Sequence, residues 1–290
     1  MTRLAVVGTG RIGGEVAYLA TVLGRIDELV LHDASAPLLK AQILDIRHTG
    51  TDIPILSDTP AIRDADICVF AAGFPRTPLV KTRADLLSLN IPVLKEWSVL
   101  LEGFSGILIT ITNPMDANNF LMAEMAGLPR ERCIGFGGQL DSVRFGIELA
   151  ARDIRETPWV LGEHGEYQVP VFSTLRSRVA VPDREAILKN LRGASMPVIR
   201  GKGGTVFGPA LHIIRLIDQV LDDRRELLPC SCILEGEYDI SGCALGVPAR
   251  IGRDGLIGIE EWNLDAWESG KLREAAEFEQ GLVRSVTQEL

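Results

Sequence analysis

Leu4, Ala5, Val6, Val7, Gly8, Thr9, Gly10, Arg11, Ile12, Gly13 is the stretch on which the fold turns. Four apolar residues too short for a helix run straight into a glycine cluster. A helical apolar spacing follows at Val16, Leu19, Ala20 and Leu23, so the segment predicts strand, tight turn and helix in that order. A second apolar run, Leu29, Val30 and Leu31, ends at His32 and Asp33, which puts an acid 20 positions after Gly13. A glycine pattern alone is often only a tight turn. With a strand before it, a helix after it and an acid at that distance, it matches what dinucleotide binding requires. The glycines admit the pyrophosphate, the helix N-terminus stabilises its charge, and the acid binds the ribose hydroxyls. Gly8, Gly10, Arg11, Ile12, Gly13 and Asp33 are therefore candidate cofactor contacts. The negative charge of Asp33 repels a 2′-phosphate and favours NAD over NADP.

The alternation continues outward. Apolar runs at Ile67 to Ala72 and Gly106 to Thr112 read as further strands, ending at Gly73 and at Asn113 with Pro114. Helical patterns cover Ala84 to Leu101 and Asp116 to Ala126, and Cys133 to Phe136 reads as another short strand. Strands alternating with helices predict a parallel, doubly wound α/β sheet of the Rossmann type, with ligands at the carboxyl ends of the strands.

From about Gly138 the pattern changes. A helix over Leu140 to Ala151 leads to Trp159, Val160, Leu161, Gly162, Glu163, His164, Gly165, an apolar run that delivers one histidine at a glycine turn. Val169 to Val171 and Ser177 to Val181 read as hairpin strands. Helices are expected at Asp183 to Arg200, Thr205 to Leu221 and about Leu264 to Val286, with antiparallel strands near Leu228 to Leu234 and Cys243 to Ile251. The expectation is a cofactor domain over 1–137 and a second, α+β substrate domain over 138–290, with no repeat or long linker between them.

Composition excludes several classes. At 46% hydrophobic and 24% charged residues the chain falls in the ordinary globular range, which argues against disorder. A net charge of −9 with scattered basic residues argues against nucleic acid and anionic membranes as partners. The N-terminal apolar run is shorter than a signal peptide requires, and no run reaches the ~18 residues of a membrane span, so a cytoplasmic protein is expected. Five cysteines, an odd number spread along the chain, do not form a disulfide framework. Cys230, Cys232 and Cys243 lack a histidine or fourth thiol to complete a metal site, so no metal is expected.

Four polar clusters remain. A loop from Gly73 carries Arg76 and Arg83; Asn113 and Pro114 follow a strand; Asp141 and Arg144 lie three apart on one helix face; and His164 sits in its glycine turn. Taken singly, each has an ordinary structural explanation: a solvated basic loop, a helix cap, a surface ion pair, a histidine satisfied in a turn. Together, and in this order, they resemble the lactate/malate dehydrogenase family along nearly the whole chain, closest to its short archaeal-type malate branch. Lys202, Gly203, Gly204, Thr205 and Glu235, Gly236, Glu237, Tyr238 extend the similarity.

The resemblance implies an NAD-dependent oxidoreductase acting on a 2-hydroxy acid. Such a reaction needs a base for the hydroxyl proton, a hydride acceptor, a carboxylate anchor and a group that polarises the forming carbonyl. By resemblance, His164 is the base and Asp141 its orienting carboxylate. Arg144 clasps the substrate carboxylate with its planar fork, and Arg83 polarises the carbonyl once its loop closes. Asn113 contacts both substrate and cofactor, and Asn90 the cofactor. The position of Arg76 reads the far end of the substrate, where an arginine suits a dicarboxylate, so malate and oxaloacetate are the expected pair. A lactate or broad 2-hydroxyacid dehydrogenase and a non-catalytic NAD-binding sensor are the alternatives. A homo-oligomer, dimer or tetramer, is implied, with the helices near Ala17 to Leu23 and Gly208 to Leu221 as candidate interfaces. The chain departs from the family pattern between Arg76 and Arg83, which are seven positions apart instead of six, with Leu79 and Val80 where a glycine is usual.

Overall fold

The computed structural model describes residues 1–74, 80 and 82–287. Its strands in chain order are β1 (Arg3–Val7), β2 (Glu28–His32), β3 (Ile55–Leu56), β4 (Ile67–Phe70), β5 (Ile107–Thr110), β6 (Cys133–Gly135), β7 (Val160–Gly162), β8 (Gln168–Pro170), β9 (Leu227–Glu235), β10 (Ser241–Gly252) and β11 (Gly255–Ile259). The α-helices are α1 (Arg11–Val22), α2 (Ala36–Arg47), α3 (Arg83–Leu100), α4 (Met115–Ala126), α5 (Gly138–Ala150), α6 (Val181–Gly193), α7 (Met196–Lys202), α8 (Phe207–Leu221) and α9 (Ala266–Thr287).

The first half is the predicted doubly wound unit. Strands run parallel in the order β3-β2-β1-β4-β5-β6, and the order reverses between β1 and β4, the point at which doubly wound sheets take their ligands. Alternation along β1 shows why both faces are covered. Leu4 and Val6 join a core with Val16, Ala17 and Ala20 of α1, while Ala5 and Val7 join another with Leu87 and Leu94 of α3 and Ala117 and Leu121 of α4. Buried on both sides, such strands read as continuous apolar runs. Each fully buried Leu, such as Leu4 or Leu29, contributes about 2 kcal/mol by leaving water.

The second half does not stand apart as a separate sheet. β6 pairs antiparallel with β9 at Gly135 and Ser231, and the sheet continues β9-β10-β7-β8 with β11 on β10, so one eleven-stranded sheet runs through the described residues. β10 meets β7 at Gly246 and Gly162, which anchors the strand preceding His164 against the middle of the molecule. The three residues of β7 are buried, as the sequence predicted for the strand that presents the histidine.

Three expectations change. Ser177 to Val181 is not a strand: the Arg176 and Ser177 N–H groups donate to the Glu156 carboxylate at 2.5 and 3.0 Å, so a side chain replaces the ladder, and α6 begins at Val181. The hairpin partner of β8 is β7. The helix expected over Asp183 to Arg200 is two helices, α6 and α7, parted at Ala194 and Ser195. Among the described residues no helix is long and apolar enough to cross a membrane. All five cysteines are free and buried.

Candidate active site

The carboxyl ends of the parallel strands carry the candidate cofactor residues. Gly8 follows β1 at φ +89°, and a Cβ there would lie 2.6 Å from the Ala72 nitrogen; at Gly13 a Cβ would lie 1.9 Å from the Gly8 carbonyl. Only glycine allows strand, turn and helix this close. A Cβ on Gly10 would meet nothing within 4 Å, so the turn is open on the side a ligand approaches. The N-terminus of α1 has no side-chain cap and no acid in its first turn, which leaves its N–H groups free for an anion. Asp33 takes the Thr9 N–H at 2.7 Å and the Ser35 N–H at 2.8 Å, so it is fixed in place and still has acceptor capacity for hydroxyls. These residues fit a dinucleotide. Ile12 packs against the core. Arg11 reaches across to the second half and donates to the Lys202 carbonyl at 3.1 Å.

Asn90 is buried at 1% exposure, with both ends of its amide in use: its Oδ1 accepts from Phe74 N–H at 2.7 Å and its Nδ2 donates to the Asn113 carbonyl at 2.9 Å. It ties the loops after β4 and β5 together, and the Asn113 side chain beside it is exposed.

The remaining residues converge around His164. Its Nδ1 lies 2.6 Å from Asp141 Oδ2, and Arg144 Nη1 donates to the other oxygen of that carboxylate at 3.0 Å, so α5 supplies both partners from one face. The Ser142 hydroxyl accepts the Val160 N–H at 2.9 Å and locks α5 to β7. Gly137 makes room for the imidazole, since a Cβ there would sit 2.6 Å from the His164 Cγ. Arg83 opens α3 beneath a capping box formed by Thr82 and Asp85. Its Nη2 donates to the His164 carbonyl at 2.8 Å and lies 3.1 Å from Glu163 Oε1. The expected substrate residue Arg76 lies outside the described residues.

Electrostatics suit an acid–base histidine. Burial disfavours charging His164, but the charge and hydrogen bond of Asp141, with help from Asp116, outweigh it, and its proton affinity lies above the ordinary value. Asp141 is itself held below the usual carboxylate range: burial works the other way, and His164 and Arg144 overcome it. With its imidazolium favoured by Asp141, His164 can take up a proton and return it.

The structure adds three carboxylates that the sequence reading left without a role. Asp116, Glu163 and Glu279 are all buried and bring carboxyl oxygens within 4.8 Å of one another behind His164. Asp116 and Glu163 stand beside residues already singled out. Glu279 had one signal: it falls within the helical stripe Leu272, Ala275, Ala276, Leu282, Val283, Val286, which is otherwise apolar and buried.

Comparison with known proteins covers both halves of the chain. The NAD-binding domain model of lactate/malate dehydrogenases matches residues 2–135, and their alpha/beta C-terminal domain model matches 138–280. A malate dehydrogenase of Halobacterium salinarum is 36% identical over 296 residues, covering 96% of this chain and 97% of its own. An L-lactate dehydrogenase of Halalkalibacterium halodurans is 31% identical over 293 residues, covering 95% and 94%. The structure of malate dehydrogenase from Archaeoglobus fulgidus in complex with NADH superposes with a TM-score of 0.90 at 31% identity, covering 99% of this chain and 100% of that one. With matched models along both halves and a glycine turn and histidine site of this geometry, the chain belongs to the lactate/malate dehydrogenase family.

Proposed function

We propose that the chain is an NAD-dependent malate dehydrogenase, interconverting malate and oxaloacetate. The observation that carries the reading is the Arg144–Asp141–His164 array, held against the ends of the parallel strands through Asp116 and Gly137, in a chain whose first strand runs into a glycine turn that fits a dinucleotide.

In the oxidative direction the free ring nitrogen of His164, Nε2, takes the hydroxyl proton. Asp141 holds the tautomer through Nδ1 and stabilises the imidazolium that forms. Arg144 spends one N–H on Asp141 and keeps others for the substrate carboxylate. Arg83, anchored on the His164 carbonyl, polarises the substrate oxygen with its remaining N–H groups. Gly8 to Gly13, Asp33 and Asn113 would hold NAD, which would supply the hydride acceptor of the reaction. In the reverse direction His164 returns its proton to the carbonyl oxygen. Asn90 serves the cofactor through the loops it joins, and Arg76 reads the distal carboxylate, whose burial without a cation would cost several kcal/mol. On this reading 1–137 carries the cofactor and 138–290 the substrate machinery. A cytoplasmic setting suits five free thiols. A homo-oligomer through α1 and α8 suits the half-exposed apolar side chains of Val22, Leu23 and Leu211.

The Halalkalibacterium relative keeps pyruvate in view as a substrate. Oxidation of NADH by the purified protein, with oxaloacetate and pyruvate side by side and NADPH in parallel, tests the reading. Oxaloacetate with NADH is expected to be the best pair by at least ~10²-fold in kcat/KM, the scale set by one buried unpaired charge. Faster pyruvate reduction would move the assignment to lactate, and binding of NADH without turnover would leave a sensor.

A further inference from the structure

The terminal helix α9 buries two glutamates whose surroundings differ. Glu268, fully buried, has a complete set of donors: its Oε1 takes the Phe172 and Ser173 N–H groups at 2.6 and 2.8 Å, and its Oε2 takes Asp265 N–H at 3.0 Å. Glu279 is 1% exposed, and neither carboxyl oxygen has a partner among the described residues. It faces Asp116 and Glu163, both 1% exposed.

The two neighbours are in use. Asp116 Oδ2 accepts the His164 N–H at 2.8 Å. Glu163 Oε2 accepts the Tyr167 N–H at 2.8 Å, and its Oε1 faces Arg83 at 3.1 Å. Other titratable or polar groups around the trio come from every packed element: Arg83 from α3, Asp141 and Arg144 from α5 beyond the imidazole, Ser231 and Cys232 from β9, Cys243 from β10, and His164 itself. Burial pushes both thiols up to about 12, so neither adds charge near neutrality. Among the described residues Arg83 is the permanent cation that faces the three buried carboxyls directly, and three ionised ones would leave uncompensated charge in a dry site.

We propose that Glu279 is a positioning residue: it stands in the folded protein as a neutral acid turned toward Asp116 and Glu163, so that one proton is held among three carboxyls behind the His164 peptide. Its O–H lets Asp116 remain ionised as the acceptor that holds the His164 main chain and as an anion that favours the imidazolium. The proposal rests on His164 being the acid–base group. Burial, then the charges of Asp116 and Glu163, hold the Glu279 proton well above the ordinary carboxyl value, and Asp116 is itself raised to about 6.

The sign follows from linkage. A carboxyl whose proton is held more tightly in the folded state contributes its full stability only below the unfolded value of 4.5, and loses it as pH rises toward the folded one. Each pH unit in that window disfavours folding about tenfold. Urea unfolding of wild type and Glu279→Gln between about pH 5 and 7 is the test of the proton. The folding equilibrium of the variant is expected to gain about tenfold per pH unit relative to wild type. A flat difference overturns the neutral acid, as does stabilisation of wild type but not the variant by millimolar Mg2+ or Zn2+, which would make the trio a metal site.

The positioning role is read from the pH profile of kcat/KM for oxaloacetate with NADH. Gln keeps a donor and should hold the wild-type alkaline limb. Glu279→Leu removes it, leaves Asp116 to take the proton, and should move that limb to lower pH by roughly half a unit or more. A Gln profile that moves, or a Leu profile that does not, overturns the role. Should Leu fail to fold, the Gln profile and the unfolding curves decide. If wild type shows no oxaloacetate turnover, the functional reading fails while the unfolding result still stands by itself.

Discussion

On the proposed mechanism, replacing Asp141 by Asn removes the charge that makes His164 a useful base while leaving the side-chain volume nearly unchanged. Asp141 is buried at 1% exposure, and its Oδ2 lies 2.6 Å from Nδ1, so solvent screens the pair little. Unit charges about 4 Å apart at an effective dielectric constant near 20 attract by about 4 kcal/mol. Asp116 persists as a second anion and Arg144 as an opposing cation, so we expect about 2–4 kcal/mol of imidazolium stabilisation to be lost. At 1.36 kcal/mol per unit, that lowers the proton affinity of His164 by about 1.5–3 pH units. Reduction of oxaloacetate needs the imidazolium, so its rate falls as pH rises through the His164 value. In Asp141→Asn this limb should move to lower pH, with a loss of about 30- to 10³-fold in kcat/KM at pH 7. The assay is a pH series of NADH oxidation, with NADH affinity measured by fluorescence as a control for folding. A variant within threefold of wild type and with an unmoved limb would refute the orienting role of Asp141.

Two other changes probe the site from different sides. Gly137→Ala places a Cβ 2.6 Å from the His164 Cγ and 2.8 Å from Nδ1, which forces the ring aside. A shift approaching 1 Å predicts a loss of about 10²-fold in kcat/KM with NADH affinity retained, and near-normal turnover would show that the ring has room to spare. Arg76→Gln should lower the ratio of oxaloacetate to pyruvate reduction by about 10²-fold, because the distal carboxylate loses its cation. An unchanged ratio in paired assays would reassign substrate selection to another residue.

Much of this protein is legible from sequence because its information is local. The glycine turn, the acid after β2 and the Asn113–Pro114 strand end each combine a short motif with an apolar period, and short-range sterics dictate the result. Asp141 and Arg144 share a helix face by spacing alone. Where short range was not enough, the reading failed: Ser177 to Val181 has the look of a strand, yet Glu156, some twenty positions earlier, captures the N–H groups of Arg176 and Ser177 at its start. The union of both halves into one sheet depends on Gly135 meeting Ser231. The destination of Arg83 depends on a carbonyl in another element. Glu279 is the extreme case. Sequence places it on a charged helix, in an apolar stripe. Only the packing of α9 against α4 and the end of β7 puts its carboxyl beside two others, out of water, because burial and long-range contact decide what a charged side chain must do.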